Sequence, residues 1–178
     1  MKKIILIFTL MLVVLVGCKK NNEFLDLFGK NWWGQATAEI NGKQWSATGC
    51  NGFAKGDIIS LGFSEVNKQQ ILNDFTILSL PLKLGKQFVP KKSISYDLRV
   101  DGDNDLLCAI YDNLHDADSL QNWVEITEYN PQTKEIKGKF SCNMLIDPKG
   151  GNAGVKCNPS DPDVLRIRNG VFHTKIVD

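Results

Sequence analysis

The segment Ala36-Thr-Ala-Glu-Ile-Asn-Gly-Lys-Gln-Trp-Ser-Ala47 decides the fold. Two short runs, Ala36 to Ile40 and Gln44 to Thr48, flank Asn41-Gly42-Lys43. Asn-Gly between short alternating runs is the strongest local signal for a β-hairpin, because its favoured turn needs positive φ at both central positions. The same grammar continues along the chain. Further runs rich in Ile, Val, Phe, Leu and Thr lie at Asp57 to Ser64, Asp74 to Leu80, Ser93 to Val100, Leu106 to Tyr111, Trp123 to Tyr129, Glu135 to Ile146, Val164 to Arg168 and Val171 to Val177. Asp101-Gly102-Asp103-Asn104, Asn130-Pro131-Gln132-Thr133 and Asn169-Gly170 separate them with turn chemistry.

Alternation is clearest near the C-terminal end. Val124, Ile126 and Glu128 oppose Glu125, Thr127 and Tyr129, while Phe140, Cys142 and Met144 share one face that should look inward. No sustained helical period appears, apart from a short helix expected around Glu65 to Leu72. A parallel α/β sheet is therefore disfavoured. About ten short strands joined by tight turns predict an all-β fold, a single antiparallel β-sandwich or barrel-like domain over residues 36–178. Asp147 to Asp163 reads as a long irregular insertion between strands.

Ahead of this domain stands a different kind of segment. Lys2-Lys3 precede the apolar stretch Ile4 to Val16, which runs into Gly17-Cys18. An apolar stretch too short to span a bilayer comfortably, behind a charged start, reads as a removable signal peptide over residues 1–17. A small residue before Cys18 fits a bacterial lipobox, with lipid on the cysteine sulfur and residues 18–35 as lipidated cysteine and tether. One acyl chain binds membranes reversibly, whereas two or more anchor stably. Lys19 after the cysteine, rather than aspartate, resembles sorted lipoproteins of double-membrane bacteria and favours the outer membrane.

Without Lys2 and Lys3 the 21 basic side chains fall to 19 against 20 acidic, interspersed along the chain. Such a balance implies neither nucleic acid nor anionic lipid as a partner. The expected partners are the membrane, through lipid on Cys18, and an unidentified ligand or envelope protein, and no cofactor is expected. Beyond Cys18 four cysteines remain, an even number suited to two disulfides in an oxidising compartment. The favoured pairings are Cys142 with Cys157, which would clip the Gly/Asn/Pro-rich segment, and Cys50 with Cys108. Buried free thiols are the competing reading.

The lipobox, the Asn-Gly-Lys-Gln-Trp-Ser-Ala start, and the closing runs Val124-Glu-Ile-Thr-Glu-Tyr129, Ile136-Lys-Gly-Lys-Phe-Ser141 and Ile167-Arg-Asn-Gly-Val-Phe172 resemble small Bacteroidetes lipoproteins of unknown function. The resemblance covers both ends of the domain, is weak from Asp57 to Leu120, and implies fold and location without any catalytic residue. In the matching stretches Gly42 and Gly170 are expected to supply positive φ at turns. Trp45, Phe140 and Phe172 are expected in the core.

Candidate site residues follow from chemistry. Asp112, His115, Asp116 and Asp118 form the densest polar cluster, a carboxylate and imidazole set able to bind a ligand or divalent metal or to move protons. Asp-rich loops are also ordinary solvated turns. Trp32 and Trp33 are candidate contact residues: adjacent in a strand, they point to opposite faces, so at most one is exposed as a stacking or interfacial ring. His173 reads as a surface or interface side chain. The function expected is a non-enzymatic, membrane-anchored binding or accessory module of the cell envelope. The alternatives are a periplasmic metal-assisted hydrolase and an inhibitor or immunity-type lipoprotein acting on a protein partner.

Overall fold

The computed structural model describes residues 33–67, 70–99, 107–113, 122–147, 156 and 158–177. They belong to the compact unit Asn31–Asp178. Its strands are β1 Gly34–Ile40, β2 Lys43–Ala47, β3 Gly49–Lys55, β4 Ile58–Asn67, β5 Gln70–Pro81, β6 Gly85–Phe88, β7 Ile94–Arg99, β8 Leu107–Asp112, β9 Trp123–Asn130, β10 Glu135–Ile146 and β11 Val164–Val177. No helix occurs among the described residues, so none there is long and apolar enough to cross a membrane.

The opening hairpin forms as its turn residues dictate: Asn41 and Gly42 both have positive φ, 49° and 79°, and β1 pairs with β2 directly across them. The Asn41 side chain also ties the turn to a distant strand, donating to the Val164 carbonyl at 3.0 Å and accepting from the Arg166 amide at 2.9 Å.

All eleven strands belong to one sheet, ordered β2-β1-β11-β3-β4-β5-β7-β8-β10-β9-β6, with β10 also bonded to β11. That extra pairing returns the sheet on itself. Seven strands, β11-β3-β4-β5-β7-β8-β10, form a rolled ring, while β1–β2 and β9–β6 extend from β11 and β10. Two short seams complete the ring. Leu145 and Ile146 meet Asp112 and Tyr111, and Ile176 and Val177 run parallel to Gly52 and Phe53. The antiparallel expectation thus holds for every other described ladder, but the sheet is mixed.

Period-2 alternation fills the interior. Phe63, Phe75, Phe140 and Phe172 are all buried, and their rings pack on one another: Phe63 lies 5.5 Å from Phe140 and nearly parallel, and Phe75 lies 5.2 Å from Phe140. Trp45 meets Phe75 edge-on at 6.3 Å while its indole N–H donates to Asn73 Oδ1 at 3.1 Å, which satisfies the polar end of an otherwise apolar anchor. Phe140, Cys142 and Met144 face inward together, as the alternation requires.

Four sequence readings are corrected. Glu65 to Leu72 is not helical: β4 runs to Asn67 and β5 starts at Gln70, where cross-strand pairing of Val66 with Ile71 overrides the local pattern. Asn169-Gly170 does not separate two strands. β11 is one continuous strand with an irregularity there, and Asn169, at φ 53°, takes the left-handed conformation expected of Gly170. Gly170 instead makes room, because the Phe140 ring lies where its side chain would stand. A bulge between Lys137 and Gly138 shifts β9, leaving Glu128 and Tyr129 both exposed and pairing the Glu128 carboxylate with Lys137 Nζ at 2.7 Å.

Candidate functional site

Trp33 stands where the described chain enters β1. Its amide donates to the Cys50 carbonyl at 2.8 Å, and its own carbonyl accepts from Thr174 Oγ1 at 2.8 Å. The next residue, Gly34, has φ 112° and lies so close to β11 that a Cβ would collide with the His173 carbonyl oxygen. These contacts fix the Trp33 backbone against β3 and β11 together and leave the residue 38% exposed.

Around that ring β11 and β10 supply charge. His173 meets it edge-on at 4.9 Å, and Lys175 Nζ lies 4.4 Å from the indole centroid. Because Glu135 pairs in register with Lys175, its carboxylate reaches both neighbours: Oε2 is 3.3 Å from His173 Nε2 and Oε1 is 3.7 Å from Lys175 Nζ. Roughly a third of each of these three side chains remains exposed. Contacts of this kind at exposed sites contribute on the order of 0.5–1 kcal/mol, enough to orient the ring but not to lock it. The group offers a half-open aromatic face beside an ammonium and an imidazole.

Asp112 ends β8 opposite Ser95 and Leu145. It belongs to the outward face of β4-β5-β7-β8, where a second set of polar groups lies one row away. Ser64 Oγ donates to Asp74, and Arg99 Nη2 donates to the other Asp74 oxygen at 3.0 Å. Asp97 pairs directly across from Asp74. Burial raises the Asp97 pKa, and the facing Asp74 charge raises it further, while Arg99 and a hydrogen bond with Ser95 pull it back. Asp74, Asp97 and Arg99 were not singled out from the sequence. Their only signal was charge at outward positions of predicted strands. Among the described residues no group of three or more His, Cys, Asp or Glu is placed to hold a metal ion. Cys18, Trp32, His115, Asp116 and Asp118 lie outside the described residues.

The expected cysteine pairings do not form. Cys50 and Cys142 are free thiols, both pointing into the core, and no disulfide links two described cysteines. Cys108 is disulfide-bonded. The reason lies in the topology: β3, with Cys50, and β8, with Cys108, stand on different sides of the ring, and the Cys142 side chain packs inward on β10. Burial pushes the Cys50 thiol up to about 12 and raises Cys142 as well, with Arg168 opposing the latter. Thiols so disfavoured as thiolates are not nucleophiles at neutral pH.

No family model, curated protein or solved structure matches the chain.

Proposed function

We propose that this chain is a cell-envelope lipoprotein, anchored by lipid on Cys18 in the outer membrane, whose rolled β domain serves as a non-enzymatic binding or accessory module. The observation that carries this reading is the segment Lys2 to Cys18: charged start, short apolar core, small residue, cysteine. The domain begins its described course at Trp33, fifteen positions later, with a partly exposed aromatic ring set among charged groups. Burial of both free thiols argues against thiol chemistry, and the resemblance to small Bacteroidetes lipoproteins supports the same location.

The test is metabolic labelling of the full chain with an alkyne fatty acid in a double-membrane bacterial host, followed by membrane fractionation. Wild type should take up label and sediment with the outer membrane, and Cys18→Ala should lose the label and keep the precursor mass. Equal labelling of Cys18→Ala, or an unlabelled wild type, would overturn the reading.

A further inference from the structure

The strand directions gather particular residues at one end of the ring. β2, β3, β5, β9 and β11 finish there, while β1, β4, β6 and β10 begin there; the end of β8 instead meets the end of β10, Asp112 facing Leu145. Among the described residues, the large apolar side chains left exposed are concentrated at this end. Trp33 opens β1, Phe53 lies near the end of β3, Ile58 starts β4, Leu78 lies near the end of β5, Leu84 precedes β6, and Tyr129 lies next to the end of β9. They are exposed by 36% at Tyr129 to 64% at Leu84. The two other exposed large hydrophobics, Phe88 and Val171, lie at the far end of β6 and midway along β11.

Lysines share this end. Lys55 closes β3, Lys83 lies in the loop before β6, Lys134 precedes β10 and Lys175 lies over Trp33. The acidic neighbours are Asp57 in the β3–β4 turn, Glu128, which pairs with Lys137, and Glu135, which His173 and Lys175 engage. Exposed rings and aliphatic side chains interleaved with lysines match the boundary between lipid tails and headgroups. There Trp and Tyr settle at headgroup depth and Lys reaches its ammonium toward phosphate.

We propose that this end of the ring rests on the lipid bilayer, so that the partner of the Trp33 site is an anionic membrane surface. The inference rests on lipidation of Cys18. Fifteen residues of chain limit the distance from the lipidated cysteine to Trp33 to about 50 Å at full extension, and the chain from that cysteine enters the described domain at Trp33, on this end of the ring. The β1–β2 turn at the opposite end then points away from the membrane.

Cys50 and Cys142 are buried and Cys108 is disulfide-bonded, so a new surface cysteine is labelled against the low background measured on the wild-type protein. The full lipidated protein, carrying bimane at Phe53→Cys, Leu84→Cys, Phe88→Cys or Val171→Cys, is reconstituted in phosphatidylcholine–phosphatidylglycerol vesicles containing brominated lipid. Mass spectrometry of the Cys18 peptide accompanies each sample. Bimane at 53 and 84 should be quenched at least twofold more than at 88 and 171. Replacing Lys55 and Lys83 together by Gln should reduce that difference. With Cys18 shown to be lipidated, equal quenching at all four positions would overturn the proposal while leaving the anchor intact. So would protection of 53 and 84 from a water-soluble quencher by peptidoglycan fragments or a co-purified protein but not by lipid. An unmodified Cys18 would remove both readings, and the mass identifies that case.

Discussion

Gly170→Ala is expected to destabilise the domain even though glycine is normally the weaker residue inside a strand. The added methyl would lie 2.7 Å from three atoms of the Phe140 ring, Cγ, Cδ2 and Cε2, about 1 Å inside ordinary carbon–carbon contact. The ring has little freedom to retreat, since it stacks on Phe63 at 5.5 Å and packs on Phe75 at 5.2 Å and Phe172 at 6.4 Å. Overpacking a filled core costs about 1–3 kcal/mol, while exchanging glycine for alanine returns about 0.4–1 kcal/mol through the unfolded chain. The net expectation is a loss of about 1–2 kcal/mol. Urea denaturation followed by tryptophan fluorescence reads this as a midpoint lowered by roughly 0.5–1 M, for slopes typical of small proteins. Phe140→Leu alone should also destabilise, by leaving space. In the double variant the smaller side chain accommodates the methyl, so the two losses should fall short of their sum by at least about 0.5 kcal/mol. A neutral or stabilising Gly170→Ala, or strict additivity in the double variant, would refute the wedged arrangement of Phe140 over Gly170.

Other consequences are equally open to measurement. Cys50 and Cys142 should resist a thiol-specific chromogenic reagent at pH 8 in the folded protein and both react in denaturant; rapid labelling of the folded state would contradict their burial. The Asp97 pKa is raised above 3.8 in the folded state, so the folded form binds this proton more tightly than the unfolded chain, and the ionised carboxylate weakens the fold at neutral pH. Asp97→Asn should therefore raise the denaturation midpoint at pH 7, with the gain shrinking as pH falls toward 3.8, and a variant less stable than wild type at pH 7 would show the charge to be favourable. At Gly42 a Cβ meets nothing within 4 Å, so the cost of substitution comes from φ 79° alone. Gly42→Asn should accordingly be milder than Gly42→Val in thermal melts, because Asn tolerates the left-handed region and a β-branched residue does not.

Local chemistry made much of this fold legible. Asn41-Gly42 announced its hairpin because the turn's dihedral demands are written in those two residue types, and β10 declared its inward face because Phe140, Cys142 and Met144 alternate strictly. β3 escaped notice since Gly49-Cys-Asn-Gly-Phe-Ala-Lys55 carries two glycines and no period, its strand state being imposed by β4 alongside. β6, four residues long, carries too few positions for a pattern and is held by β9. Asn169-Gly170 looked like a turn because it has turn composition, yet the same dihedral freedom serves an irregularity inside a fourteen-residue strand. The site was legible only in part. Trp33 was read as a candidate exposed ring and His173 as a surface residue, but their meeting depends on the pairing of β1 with β11, which links positions about 140 apart and leaves no local trace. Disulfide partners suffer the same blindness, as spacing along the chain says nothing about which strands face one another.

The seam between Ile176-Val177 and Gly52-Phe53 sets an order of events. β3, β4 and β5 can pair as successive hairpins soon after synthesis, but the ring stays open until β11 is present. If this chain is exported through a translocation channel from its N-terminus, it carries unpaired strand edges for most of its passage, the state in which β-rich chains are most prone to associate wrongly. If Cys18 is lipidated during export, the tether is fixed before the seam can form. Folding then finishes beside the membrane, on a chain already confined to two dimensions and separated from its neighbours by their anchors.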